Sequence, residues 1–241
     1  MFATSTQSFP REQQHKRTAA LIYATIFLVL TTTAFTFLSE FFESYLIKTG
    51  RFDPLRDFVA YWPFTQSFFC FLQLGAIFFC ARTWRERAAS KVYLELKEGA
   101  VASNVASGAL TGLAALLAAA PLLLRGRPTE LASFFLDHLN PKTAFALLIV
   151  LVVFLPIVSE AFFRSIYFAE MVEATTLIPS LLLSALLFAW TWPVFSPLVA
   201  MIFGIASALL FYRSRSLLAC IVANAFLTLG GAILEVHHAL Q

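Results

Sequence analysis

Charge is scarce in this sequence. Asp, Glu, Lys and Arg make up only 13% of the 241 residues, whereas 59% are hydrophobic, a balance that excludes a soluble domain able to cover itself with polar surface. Cysteine is scarcer still. Cys70, Cys80 and Cys220 lie far apart, each inside an apolar stretch, and neither CxxC nor a Cys/His ligand spacing occurs. A disulfide framework and a zinc cluster are thereby excluded, and apolar packing is the expected role of all three. No metal and no cofactor is expected. The apolar runs are continuous rather than alternating, which excludes a membrane barrel, and no long-period repeat or low-complexity tract is found.

What the chain has is apolar length. With 27 Phe and a mean hydropathy of +0.78, it carries segments of roughly 18 to 25 residues suited to crossing a bilayer as helices. The expected fold class is all-α, a polytopic membrane helix bundle of about seven transmembrane helices. The helices are expected at about 18–42, 63–82, 101–124, 143–169, 177–194, 197–212 and 216–235. Residues 1–17 form a basic leader without a small-x-small cleavage pattern, so the first helix is expected to be retained. Residues 18–142 hold three accessory helices and a basic segment, and 143–241 the last four helices. Gly108 and Gly112, in GALTG, would let a second helix approach closely, within the chain or from another membrane protein.

The formal net charge is +3, and its placement orients the chain. Arg11, Lys16 and Arg17 precede the first helix, and Arg82, Arg85, Arg87, Lys91 and Lys97 follow the second. The positive-inside rule puts both groups in the cytoplasm. A bacterial-type plasma membrane protein is expected, with a cytoplasmic amino terminus and the carboxyl terminus on the opposite side. The turn at Arg213–Arg215 then also lies inside. No nucleic-acid partner is expected, because these bases flank membrane segments and lack interleaved stacking aromatics.

Charges inside a membrane span are costly and mark function or a specific pairing. The stretch LPIVSEAFFRSIYF places Glu160 four residues before Arg164, on one helical face and in the favourable order for an ion pair. Ser184 and Thr191 on the fifth helix, Ser207 on the sixth, and Asn224 and Thr228 on the seventh could join them around a polar pocket. His237 and His238 stand outside this set, near the carboxyl terminus.

PIVSEAFFRSIYF resembles the first signature of the CPBP family, the CAAX-processing and bacteriocin-processing (Abi) intramembrane proteases, in which Glu-Glu-x-x-x-Arg follows a proline-containing apolar run. LLLSALLFAWTW resembles the second, Phe-x-x-x-His, with Phe188 in place. FGIASALLFYRSRSLLACIVANAFLTL resembles the glycine-containing helix, the Tyr-x-Arg-x-x-Ser-Leu turn and the final His-x-x-x-Asn signature. The resemblance implies a helical membrane bundle in which the first glutamate activates water to cut a peptide bond, histidines orient water or stabilise charge, and the last Asn assists. This chain departs from that pattern. The first Glu position is Ser159, while Glu160 and Arg164 are kept. Trp192 and Asn224 stand at the two His positions, and Thr228 at the Asn position.

Serine without an adjacent base cannot accept a proton near working pH, and Trp offers one donor and no acceptor. Asn224 and Thr228 can still donate hydrogen bonds to a carbonyl. Glu160 as a replacement base would point elsewhere, about 100° around an α-helix from position 159, unless the helix is rotated or bulged. Pairing with Arg164 would also make it a poorer base.

The expected function is therefore a CPBP/CAAX-type homologue without proteolysis, a pseudoprotease with a membrane-embedded binding pocket. Its partners would be the lipid bilayer and either a membrane-anchored or prenylated peptide or a partner membrane protein. The alternatives are an active, divergent endopeptidase using Glu160 with Arg164, and a membrane-complex subunit or small transporter docking through Gly108 and Gly112.

Overall fold

The structure, a computed structural model, describes residues 100–125, 145–146, 148–191 and 196–240, together with single helical positions from 19 to 48 and the turn residue Thr49. The expected helix at 63–82, the basic segment after it and Trp192 lie outside the described residues. All regular structure among the described residues is helical. The helical positions of the first span reach Lys48, past the expected end at 42. Within the polar SEFFES stretch, the described positions Phe41 and Ser44 are helical.

Among the described residues, five helical units follow from residue 100. α1 is Val101–Arg125. α2 is one continuous rod wound in four pieces: π-helical Val150–Phe154, α-helical Leu155–Glu160, π-helical Ala161–Phe168 and α-helical Ala169–Ala174. α3 is Leu177–Thr191, α4 Pro197–Ser214 and α5 Leu217–Ala239. Among the described residues, four stretches are long and apolar enough to cross a membrane: Val101–Leu124, Val150–Val172, Pro197–Ser214 and Leu217–His238. α3, with 15 residues, is about 22 Å long and shorter than a ~30 Å hydrocarbon core.

Local chemistry sets the ends and the winding. Pro197 opens α4 at a position where no N–H is needed, and Ser196 caps it by accepting from the Val199 N–H at 3.4 Å. The helix stops at Arg215, which takes the left-handed conformation (φ 52°) while its N–H donates to the Phe211 carbonyl. Ser216 then caps α5 through the Ala219 N–H at 3.3 Å, so two spans are joined by two residues.

In α2, the first π turn ends two residues before Pro156, whose missing N–H interrupts the α-helical ladder. Around the second π turn, the Ser159 hydroxyl donates back to the Leu155 carbonyl at 2.8 Å and the Ser165 hydroxyl to the Ala161 carbonyl. Such back-bonding competes with main-chain bonds and loosens the ladder.

Packing inverts the pattern of a soluble protein. Trp190 (82% exposed) and Ile178 (70%) face outward, whereas Glu160 and Arg164 are fully enclosed, the arrangement suited to a lipid solvent. α1 packs chiefly on α5, and α3 on α4. Gly108 and Gly112 lie against the backbone of α5. The small-residue face that the sequence offers to another membrane protein is thus covered from within. Phe188 of α3 meets Phe163 of α2 edge-on at 5.3 Å and Phe203 of α4 at 5.8 Å. This aromatic seam ties α2, α3 and α4 together. With no strand among the described residues, the chain is an all-helical membrane bundle, an integral membrane protein by its apolar spans.

Candidate functional site

Four helices each contribute polar side chains to one buried cluster. α2 supplies Ser159, Glu160 and Arg164, α3 supplies Ser184, α4 Ser207, and α5 Asn224 and Thr228. Six of these seven are 0% exposed; Ser159, at 9%, is the exception.

Glu160 is the hub. Its Oε2 accepts from Arg164 Nε at 2.9 Å and from the Ser207 hydroxyl at 2.7 Å, and its Oε1 accepts from Asn224 Nδ2 at 2.7 Å. Each carboxylate oxygen is therefore held by a partner on a different helix or by the ion pair. Arg164 Nε also reaches Ser207 Oγ at 3.1 Å, and its Nη1 donates to Ser184 Oγ at 3.0 Å. The guanidinium carbon sits 5.3 Å from the centre of the Phe188 ring, a cation–π distance. Among the described residues, Arg164 Nη2 is the one buried side-chain nitrogen or oxygen with no hydrogen-bond partner.

Asn224 closes the other half. Its Nδ2 donates to Glu160 Oε1 and to Ser159 Oγ at 3.2 Å, while its Oδ1 accepts from the Thr228 hydroxyl at 3.2 Å. The opposite amide orientation would aim an oxygen at a carboxylate, so the assignment follows from charge. The Ser159 hydroxyl donates to the Leu155 carbonyl, with a longer approach to that of Pro156 at 3.3 Å. Ser159 is thus an acceptor toward the cluster, with its proton spent on the backbone.

The expectation that Glu160 faces away from position 159 needs correction. Both residues touch the same Asn224 nitrogen. Both belong to the α-helical piece Leu155–Glu160, so they meet because Asn224, from α5, stands between the two side chains and bonds both. Sequence spacing alone carries no sign of this. The cluster also brings in Ser184 and Ser207, which the sequence offers as polar groups able to line the same pocket. Cys220, read from sequence as simple packing, lies beside it, its thiol 3.5 Å from the Ser207 carbonyl.

Other candidates fall outside. The Thr191 hydroxyl turns back to the Leu187 and Phe188 carbonyls at 3.0 and 3.2 Å. His237 and His238 lie in the last turn of α5, past Thr228. Among the described residues, no three His, Cys, Asp or Glu side chains converge as metal ligands.

Chemically, the cluster is a neutral ion pair whose charges are matched at close range and whose remaining lone pairs and protons are mostly satisfied within the protein. Comparison with known proteins agrees with its location. A family model described as Rce1-like, type II CAAX prenyl endopeptidase Rce1-like, matches residues 141–229. No curated protein and no solved structure matches the chain. The matched stretch contains every side chain of the cluster, from Ser159 to Thr228. Over residues 141–229 the match is consistent with the CPBP/CAAX protease family.

Proposed function

We propose that this CAAX-type intramembrane protease homologue has lost proteolysis and serves as a membrane-embedded binding or regulatory protein. One observation carries the reading: both carboxylate oxygens of Glu160 are engaged by Asn224, Ser207 and Arg164, and the neighbouring family base position holds Ser159. A general base needs an acceptor within hydrogen-bond reach of the water it activates. Here the acceptors are committed to the fold. A ligand reaches the cluster past Ser159, its one side chain not wholly enclosed. The ligand class is a membrane-anchored or prenylated peptide, or a partner membrane protein, as the family resemblance implies.

A second reading, hydrolysis by Glu160, has an observation of its own: Glu160 Oε1 meets Asn224, which stands at the family's third-signature position. The two readings separate in one assay. Purified protein in detergent is incubated with prenylated and membrane-anchored peptides, with Glu160→Gln in parallel. The expected result is no cleavage by either protein. Cleavage by the unmodified chain that disappears in Glu160→Gln would overturn the proposal.

A further inference from the structure

Two close helix contacts flank the polar cluster, and both depend on the lack of a side chain. A Cβ added at Gly112 would lie 2.5 Å from the Ala223 carbonyl oxygen and 2.8 Å from Phe226 Cβ. One turn earlier, a Cβ at Gly108 would collide with the Ala219 carbonyl oxygen and lie 2.9 Å from Val222 Cβ. The obstacles are backbone oxygens and first side-chain carbons, which cannot swing aside as the end of a long side chain can. On the far side, a Cβ at Gly204 would lie 3.0 Å from Ala185 Cα, where α4 meets α3.

The contact at Gly112 differs from that at Gly108 in what lies next to it. Ala223 precedes Asn224, whose amide spans from α5 to Glu160 at 2.7 Å and Ser159 at 3.2 Å. Asn has a short side chain, so its reach is set by the helix that carries it. A shift of about 1 Å takes either bond past the range of a hydrogen bond. Ala219 precedes Cys220, whose contact with the Ser207 carbonyl is a weak sulfur bond at 3.5 Å.

We infer that Gly112 is a positioning residue for the buried cluster. It lets α5 seat where Asn224 can bridge Ser159 and Glu160, while Gly108 serves helix packing alone. This holds whether or not the site hydrolyses anything, so it stands apart from the proposal above.

The test reads the Asn224 amide directly. The sequence contains three asparagines, Asn104, Asn140 and Asn224, so the full chain labelled with ¹⁵N-asparagine gives few side-chain signals, and Asn224→Ala identifies the relevant pair. In the unmodified protein, Glu160→Gln shifts that pair, because a carboxylate partner becomes a neutral amide. In Gly112→Ala, the response to Glu160→Gln is expected to vanish; in Gly108→Ala it is expected to persist. A response that persists in Gly112→Ala, or vanishes equally in both glycine variants, would overturn the inference.

Folding failures are equally decisive. Should both glycine variants fail to fold, the glycines are needed for packing and the specific role of Gly112 falls. Should only Gly112→Ala fail, Asn224→Ala decides: matching failure supports the inference, and normal folding of Asn224→Ala sinks it.

Discussion

Arg164 is the residue on which the cluster is most exposed to loss. Its charge is enclosed with that of Glu160, and removing one member of a buried pair leaves the other uncompensated, at a cost of about 3–5 kcal/mol. Arg164→Met should therefore lower the unfolding free energy in detergent by about that amount. The double variant Arg164→Met/Glu160→Gln, which buries no net charge, should recover much of it. Equal losses in the single and double variants would show that the charge balance is not what Arg164 supplies.

Ser159 gives a second test at the same scale. Its side chain faces the Leu155 and Pro156 carbonyls and one amide nitrogen, a setting rich in acceptors. Ser159→Glu would bring a second carboxylate beside Glu160 with Arg164 as the sole cation in the cluster. The expected outcome is a loss of about 3 kcal/mol or more, read as a fall in folded yield and thermal midpoint. Ser159→Ala should cost only about 1 kcal/mol, the worth of one neutral hydrogen bond.

Among the elements, α2 shows where reading residues in order succeeds and where it stops. Glu160, Arg164, Asn224 and Thr228 stand out as polar groups in apolar helices, because the bilayer makes each of them costly, and the structure brings them together. Their mutual facing was not legible. An α-helical wheel turns Glu160 away from Ser159, and the two share a partner only because Asn224 of another helix reaches both. The π winding that follows Glu160, near serine hydroxyls bonding back to the main chain, is a second feature the wheel does not show. These effects leave no periodic trace. Deleting Ala161 should remove the extra residue that this winding accommodates, and rotate everything after it by about 100°. The folded yield should fall well below that of Ala161→Gly, for which a cost of about 1 kcal/mol is expected. Equal yields would mean that the winding is incidental to the site.

At the scale of the whole molecule, the hydropathy that marks the spans also marks the outward faces, since Leu110, Leu117, Ile178 and Trp190 remain exposed. Helix ends were less legible. α5 continues to Ala239 and the first span to Lys48, because helical hydrogen bonding does not stop where hydropathy falls. The two-residue turn at Arg215 and Ser216 forces α4 and α5 to run antiparallel from one membrane face. Basic residues there predict a cytoplasmic location. In a chain whose Cys70, Cys80 and Cys220 are replaced by Ala, Arg213→Cys should react with a membrane-impermeant maleimide only when the inner face is open. His237→Cys should react from the outer face. The reverse pattern would invert the topology.

The polar cluster also acts as a gauge of assembly. Each of four helices must arrive at the right depth and rotation before Glu160, Arg164, Ser184, Ser207 and Asn224 can satisfy one another. A helix inserted out of register strands an ionised group in hydrocarbon, so a misassembled molecule is destabilised by the same chemistry that locks the finished one.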